Sequence, residues 1–148
     1  MTAPSPGPPS HVPVLALGDV LLVSLQGELH DGTAEQLQQD ITERIARSGA
    51  SGVVIDLSGV GIVDSYLGRV LAEIAANAAL LAARTVLAGM RPAVAITLVE
   101  LGLSLPGIRT ALNVELGMAM LARERRTRDL GLDLDDPDEA ESPAVSPA

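Results

Sequence analysis

Cysteine, lysine, phenylalanine and tryptophan are absent from this chain, and Tyr66 is its only aromatic residue. Without cysteine there are no disulfides, no thiol chemistry and no thiolate-held metal. Without Phe and Trp, the core must be built from aliphatic side chains. Without lysine, all ten basic residues are arginines, set against nineteen acids for a net charge of −9. That balance and the missing stacking aromatics argue against a nucleic-acid partner. No apolar run approaches the ~20 residues needed to span a bilayer. The start is Pro-rich rather than basic and then apolar, unlike a signal peptide, so no membrane partner and a cytoplasmic location are expected. His11 and His30 stand apart, without metal-ligand spacing, and read as exposed loop residues; neither a metal nor a cofactor is expected.

At 148 residues the chain suits one domain with tails. Residues 1–11 are mostly Pro, Ser, Gly and Ala and read as a disordered leader. From residue 127 the pattern dissolves into an acidic tail. Seven acids there face Arg128 alone, which accounts for −6 of the net charge. Between them, residues 12–126 read as the domain.

The domain opens with two apolar runs, Val12–Leu17 and Val20–Leu25, separated by Gly18-Asp19, the pattern of a tight hairpin. A helix follows from about Thr33, with Ala34, Leu37, Ile41 and Ile45 on its buried face and Ser48-Gly49 as its stop. Val53–Leu57 has the β-branched density of a strand covered on both sides. The next helix, Ser65 to about Ala82, buries Leu67, Val70, Leu71, Ile74, Ala78 and Leu81. Thr85–Ala88 is a further strand. Pro92 starts another helix, with Val94, Leu98 and Leu101 on one side. Leu105–Leu112 reads as a loop with room for a short edge strand. Val114–Arg126 is a last helix, with Leu116, Met120 and Leu121 facing in. This order predicts an α/β sandwich: a mixed sheet of four or five strands with helices mainly on one side.

The most informative stretch is Val53–Arg69. A buried strand leads into a loop broken by Ser58, Gly59 and Gly61, and then into a helix capped by Asp64. Ser65 therefore sits beside the free N–H groups and positive dipole end of that helix. Its hydroxyl has no histidine base, so it is not a hydrolase nucleophile. No Gly-rich loop precedes a lysine, so there is no P-loop. Asp56 at the strand end suggests the phospho-accepting aspartate of receiver domains. The missing lysine and the missing acidic cluster at the first strand argue against that, and Asp56 reads as a tie for loop N–H groups. Tyr66, Arg69, Glu73 and Asn77 fall off the buried stripe, next to Ser65, as a candidate partner surface. No enzyme constellation is present.

Three segments carry a resemblance: Val53–Arg69, Gly89–Gly102 (GMRPAVAITLVELG) and Thr110–Gly117 (TALNVELG). Together they resemble the STAS domains of anti-sigma-factor antagonists over roughly Val12–Leu121. Asp64-Ser65 after Ile-Val, with the run from Pro92, resembles the RsbS branch, the small scaffold subunits of bacterial stressosomes. The resemblance implies a STAS fold and a non-enzymatic phospho-switch in a stress response. It implies that Ser65 is phosphorylated by a serine kinase of the switch-kinase type, held by the unphosphorylated scaffold and released by the phosphorylated one. Asp64, Tyr66, Arg69 and Glu73 would form the kinase interface, and Thr97 would be a secondary phosphosite. A PP2C-type phosphatase would reset Ser65. Self-association and co-assembly with sensor-STAS paralogues into a stressosome are implied. The alternative within the family is a simple antagonist that binds a kinase-type anti-sigma factor outside any large assembly. A transporter-associated STAS module is disfavoured by the lack of a transmembrane segment.

Overall fold

A computed structural model describes residues 12–27, 29–102 and 107–131. The element order is β1 (Val14–Leu17), β2 (Val20–Gln26), α1 (Asp31–Ser48), β3 (Gly52–Gly59), α2 (Ser65–Leu80), β4 (Arg84–Ala88), α3 (Pro92–Glu100), β5 (Ile108–Ala111) and α4 (Val114–Asp129). The five strands form one mixed sheet in sequence order. β1 is antiparallel to β2, and β2 through β5 run parallel. The Gly18-Asp19 pair makes the two-residue turn between β1 and β2, opposing Leu17 to Val20.

Side-chain alternation along the strands sorts the core into two layers. On one face Leu21, Val23, Val53, Ile55, Leu57 and Leu87 pack under α1, α2 and α3. On the other, Val20, Val54, Val86 and Ala88 pack with Leu121 of α4. This two-sided cover explains why Val53-Val54-Ile55 is an unbroken apolar run rather than an alternating one. The expected mixed sheet, with helices mainly on one side, is what forms. The loop expected over Leu105–Leu112 carries β5 as its edge strand, and its residues 103–106 lie outside the described residues.

α1 buries Ala34, Leu37, Ile41 and Ile45 as its periodicity requires, although it begins at Asp31 rather than Thr33. It ends where Gly49 takes a left-handed conformation, φ 68°, and donates its N–H to Ile45 O at 2.8 Å. α2 buries Leu67, Val70, Leu71, Ile74 and Ala78, and Gly68 and Ala75 as well.

Four inward assignments fail or fall short, three of them at or near helix ends. Leu81 is 38% exposed, because it caps α2 just before Ala82 turns the chain at φ 61°. Leu101 caps α3 and is likewise turned out. Leu116 of α4 is 46% exposed and Met120 only half-buried. The row of α4 that faces the sheet is Val114, Gly117, Met118 and Leu121. Gly117 sets that rotation: a Cβ there would stand 3.3 Å from Val86 Cγ1 and 3.4 Å from Val54 Cγ1, so the helix lies close on the strands. Charges then clamp it. Glu124 pairs with Arg84 of β4 at 3.5 Å and with Arg109 of β5, and Arg125 reaches Asp19 at 3.1 Å.

α4 continues to Asp129, so Thr127 and Arg128, read from sequence as tail, are helical; Thr127 Oγ1 donates to Arg123 O at 3.0 Å. The leader at residues 1–11, with His11, and the tail from residue 132 lie outside the described residues. Among the described residues, no helix is long and apolar enough to cross a membrane.

Candidate functional site

β3 is buried from Gly52 to Ile55 and again at Leu57, with Asp56 half-buried between them, and then reaches Ser58-Gly59, where its burial stops. The chain needs five residues, Val60–Asp64, to climb from the sheet to α2. Val60 and Val63 are buried and pin the loop to the core. Between them Gly61 is exposed, and Ile62 is 87% exposed. The loop is thus held from inside while its tip faces solvent.

Polar contacts fix its base. Asp56 Oδ1 accepts from Ser58 N at 2.9 Å, the loop tie expected of it. Arg91, at the start of α3, donates from Nε to Ser58 O at 3.2 Å. Gly27 N donates to Gly59 O at 3.3 Å. Gly89 completes the base. It sits at φ 70°, and a Cβ there would stand 3.0 Å from Asp56 Oδ1, so both conformation and space require glycine.

Asp64 is the N-cap of α2: its Oδ1 accepts from Leu67 N at 2.8 Å. Ser65 is the first helical residue and is exposed. The first N–H groups of a helix lack intrahelical partners and carry its positive dipole end. No acidic residue occupies the first turn of α2, so Asp64 is the only carboxylate supplied by that segment itself.

The other candidate residues divide. Arg69 and Glu73 are exposed on α2, and Glu73 accepts from Gln38 Nε2 of α1 at 2.8 Å. Asn77 is half-buried. Tyr66, expected on the outer face, is half-buried instead and packs against the main core. Partial burial, the charge of Asp31 and a hydrogen bond to that carboxylate together raise its pKa above the ordinary phenol value, with Glu35 and Glu73 adding to the shift. Tyr66 is therefore tied to the start of α1, a contact with no local signal in the sequence. With Gly27, Leu29, Ile62 and Asp64 it walls a groove beside Ser65. Ile62, unweighed in the sequence reading, is the most exposed apolar side chain of the loop; its place between two buried valines is the signal that could have found it.

Thr97 lies elsewhere, within α3, half-buried, with its hydroxyl donating to Ala93 O at 2.9 Å. His30 is exposed just before α1, in line with its reading as a loop residue. Among the described residues, no group of three His, Asp or Glu side chains could hold a metal ion.

The STAS domain model matches residues 11–116. The chain belongs to the STAS-domain family. It is 40% identical to a serine-to-glutamate variant of RsbS from Moorella thermoacetica, with a TM-score of 0.69, over 78% of this chain and 97% of that one. It is 41% identical to a chain in a structure titled the molecular architecture of the stressosome, a signal integration and transduction hub. That match has a TM-score of 0.69 and covers 77% of this chain and 99% of the other. Among curated relatives it is 27% identical over 108 residues to the RsbT co-antagonist protein RsbRD of Bacillus subtilis, covering 72% of this chain. It spans 39% of that relative's length. The STAS fold and the likeness to stressosome and anti-sigma-factor-antagonist proteins agree with the reading of the three sequence segments.

Proposed function

We propose that this STAS domain is a non-enzymatic, cytoplasmic scaffold of a stressosome, and that phosphorylation of Ser65 switches its hold on a serine kinase of the switch-kinase type. The observation that carries the reading is the position of Ser65: exposed, first in α2, at the end of a loop pinned by Val60 and Val63. A kinase can reach that hydroxyl without unfolding the domain. A phosphate there meets free backbone N–H groups and a favourable dipole, so the fold tolerates it. The partner does not. A surface that buries Ser65 would have to desolvate about two added negative charges next to Asp64.

Asp64 precedes the hydroxyl, Arg69 and Glu73 follow it one and two turns along α2, and the three supply the polar part of the kinase interface, while Tyr66 acts through the groove it walls. A PP2C-type phosphatase restores the unmodified serine. Sensor-STAS paralogues co-assemble with the scaffold, in keeping with the RsbR-type relatives. Thr97 is a weaker acceptor than Ser65, since its hydroxyl is engaged within its own helix.

The test is phosphosite mapping and pull-down with the cognate kinase and ATP. Ser65→Ala should fold, bind the kinase and resist phosphorylation. Ser65→Asp should fold and bind more weakly. Phosphorylated protein that holds the kinase as tightly as before sinks the switch. Size-exclusion chromatography with a sensor-STAS paralogue separates the scaffold from a simple antagonist, which would give no large particle.

A further inference from the structure

β1 is an edge strand: among the described residues, no strand lies beyond it. Exposed edges are normally blunted by charge, a bulge or an interior proline. β1 has none of these: its four residues are Val14, Leu15, Ala16 and Leu17, in regular register with β2. Leu15 is 53% exposed and Leu17 43% exposed. Both point to the α4 face, since their partners Leu22 and Val20 pack in the α4-side core.

We infer that β1 pairs with β1 of a second copy of this chain, antiparallel about a two-fold axis at Ala16. The backbone pattern leads to this register. The pair that closes a two-residue turn, Leu17 and Val20, exchanges its hydrogen bonds, and such pairs alternate along the ladder. Leu15 and Leu17 therefore turn their N–H and C=O groups toward β2, and Val14 and Ala16 turn theirs outward. With Ala16 on the axis, Ala16 bonds the partner's Ala16, and Val14 comes opposite the partner's Gly18, where the hairpin turns at φ 61°. Leu15 then stands opposite the partner's Leu17, twice, in non-hydrogen-bonded pairs, where side chains approach most closely. One register thus satisfies the outward backbone groups of Ala16 and covers both exposed leucines. Pro13 does not interfere, as its missing N–H would have faced β2.

The charges beside the edge are self-complementary in the same arrangement. Along α1, next to Val14, run Asp40, Glu43, Arg44 and Arg47. The helix ends near the hairpin, where Ser51 N donates to Asp19 O at 2.9 Å, so the row passes from acid to base toward that turn. The two-fold axis reverses one row against the other and sets arginines toward carboxylates. A second copy meets these requirements, while a partner with an acidic or a basic edge would meet half of the row.

The inference rests on the scaffold reading only in requiring self-association. The chain has no cysteine, so a single introduced thiol is a clean probe. Paired residues in a hydrogen-bonded register have Cα atoms about 5.5 Å apart, within disulfide range. Full-length Ala16→Cys should cross-link to a homodimer under mild oxidation, while Ala119→Cys on α4 should not. Leu15→Lys/Leu17→Lys should shift the chain to a monomer's sedimentation coefficient, with its circular dichroism and kinase pull-down unchanged. A self-associated chain that neither cross-links at Ala16→Cys nor responds to the double variant overturns the edge alone. A chain that sediments as a monomer at every concentration overturns both the edge and the scaffold reading. Cross-linking of Ala16→Cys only to a sensor-STAS paralogue overturns the second copy as occupant.

Discussion

The two faces of the sheet are built differently. Three helices cover one face, with large aliphatic side chains from every layer: Leu37, Ile41 and Ile45 from α1, Leu71 and Ile74 from α2, Leu98 from α3. A single helix, α4, covers the other. It contributes Leu121 as its only fully buried large side chain and lies close on the strands through Gly117. One helix is about 10 Å wide with its side chains and strands are about 4.8 Å apart, so α4 cannot cover five strands. It lies over β3, β4 and β5. β1 and β2 keep Leu15 and Leu17 exposed and Leu22 half-covered on that side. The well-covered face serves stability; the thinly covered one leaves apolar surface for another chain.

If the contrast holds, the largest loss of stability comes from the three-helix face. Ile74→Ala should cost about 2–5 kcal/mol, and Leu121→Ala on the α4 face should fall near the low end of that range, about 2 kcal/mol, because the thin layer can relax. Urea unfolding of both variants checks this; a Leu121→Ala cost equal to that of Ile74→Ala breaks the comparison.

Gly52 tests the closeness of the α4 face. A Cβ there would stand 2.7 Å from Leu121 Cδ1, so Gly52→Ala should cost about 1–3 kcal/mol through overpacking. Combined with Leu121→Ala, the cost should be less than the sum, since the smaller side chain makes room. Additive costs in the double variant would show that α4 does not rest on that position.

The helix caps should ignore the contrast. Asp64 Oδ1 accepts from Leu67 N and Asn113 Oδ1 from Leu116 N, each at 2.8 Å. Asp64→Ala and Asn113→Ala should each cost about 1 kcal/mol, by thermal or urea unfolding, because a cap is a local bond.

The smallest effect belongs to the hairpin. A hydrogen bond from the Ser51 side chain, together with the hydrogen bond and charge of Arg125, holds the Asp19 carboxyl below its ordinary value, despite partial burial. A lowered pKa adds stability above the unfolded value, about 3.9, and loses it as pH falls through the folded value. The melting temperatures of wild type and Asp19→Asn should differ slightly and constantly at neutral pH and converge below about pH 4. Partial exposure of this ion pair keeps the gap small.

Much of this was legible along the chain. The buried stripe of α1, the body of the α2 stripe, the Gly18-Asp19 turn and the Asp64 cap all follow from spacing and residue type within one or two turns. The candidate site was legible as a loop, a cap and a hydroxyl, because those features are consecutive. Tyr66 was misplaced because it packs against the core and bonds Asp31, thirty-five residues earlier in sequence and adjacent only in the fold.

By itself, then, the sequence determined the elements, the aliphatic nature of the core and the exposed serine at a helix start, since each rests on local conformational preference and local periodicity. Only the tertiary structure decided the rotation of α4, the outward turn of Leu81, Leu101 and Leu116, the groove beside Ser65 and the open edge at β1. These depend on which surfaces meet, and a periodic pattern leaves the depth and angle of such meetings undetermined until side chains such as Val54, Val86 and Gly117 are brought into contact.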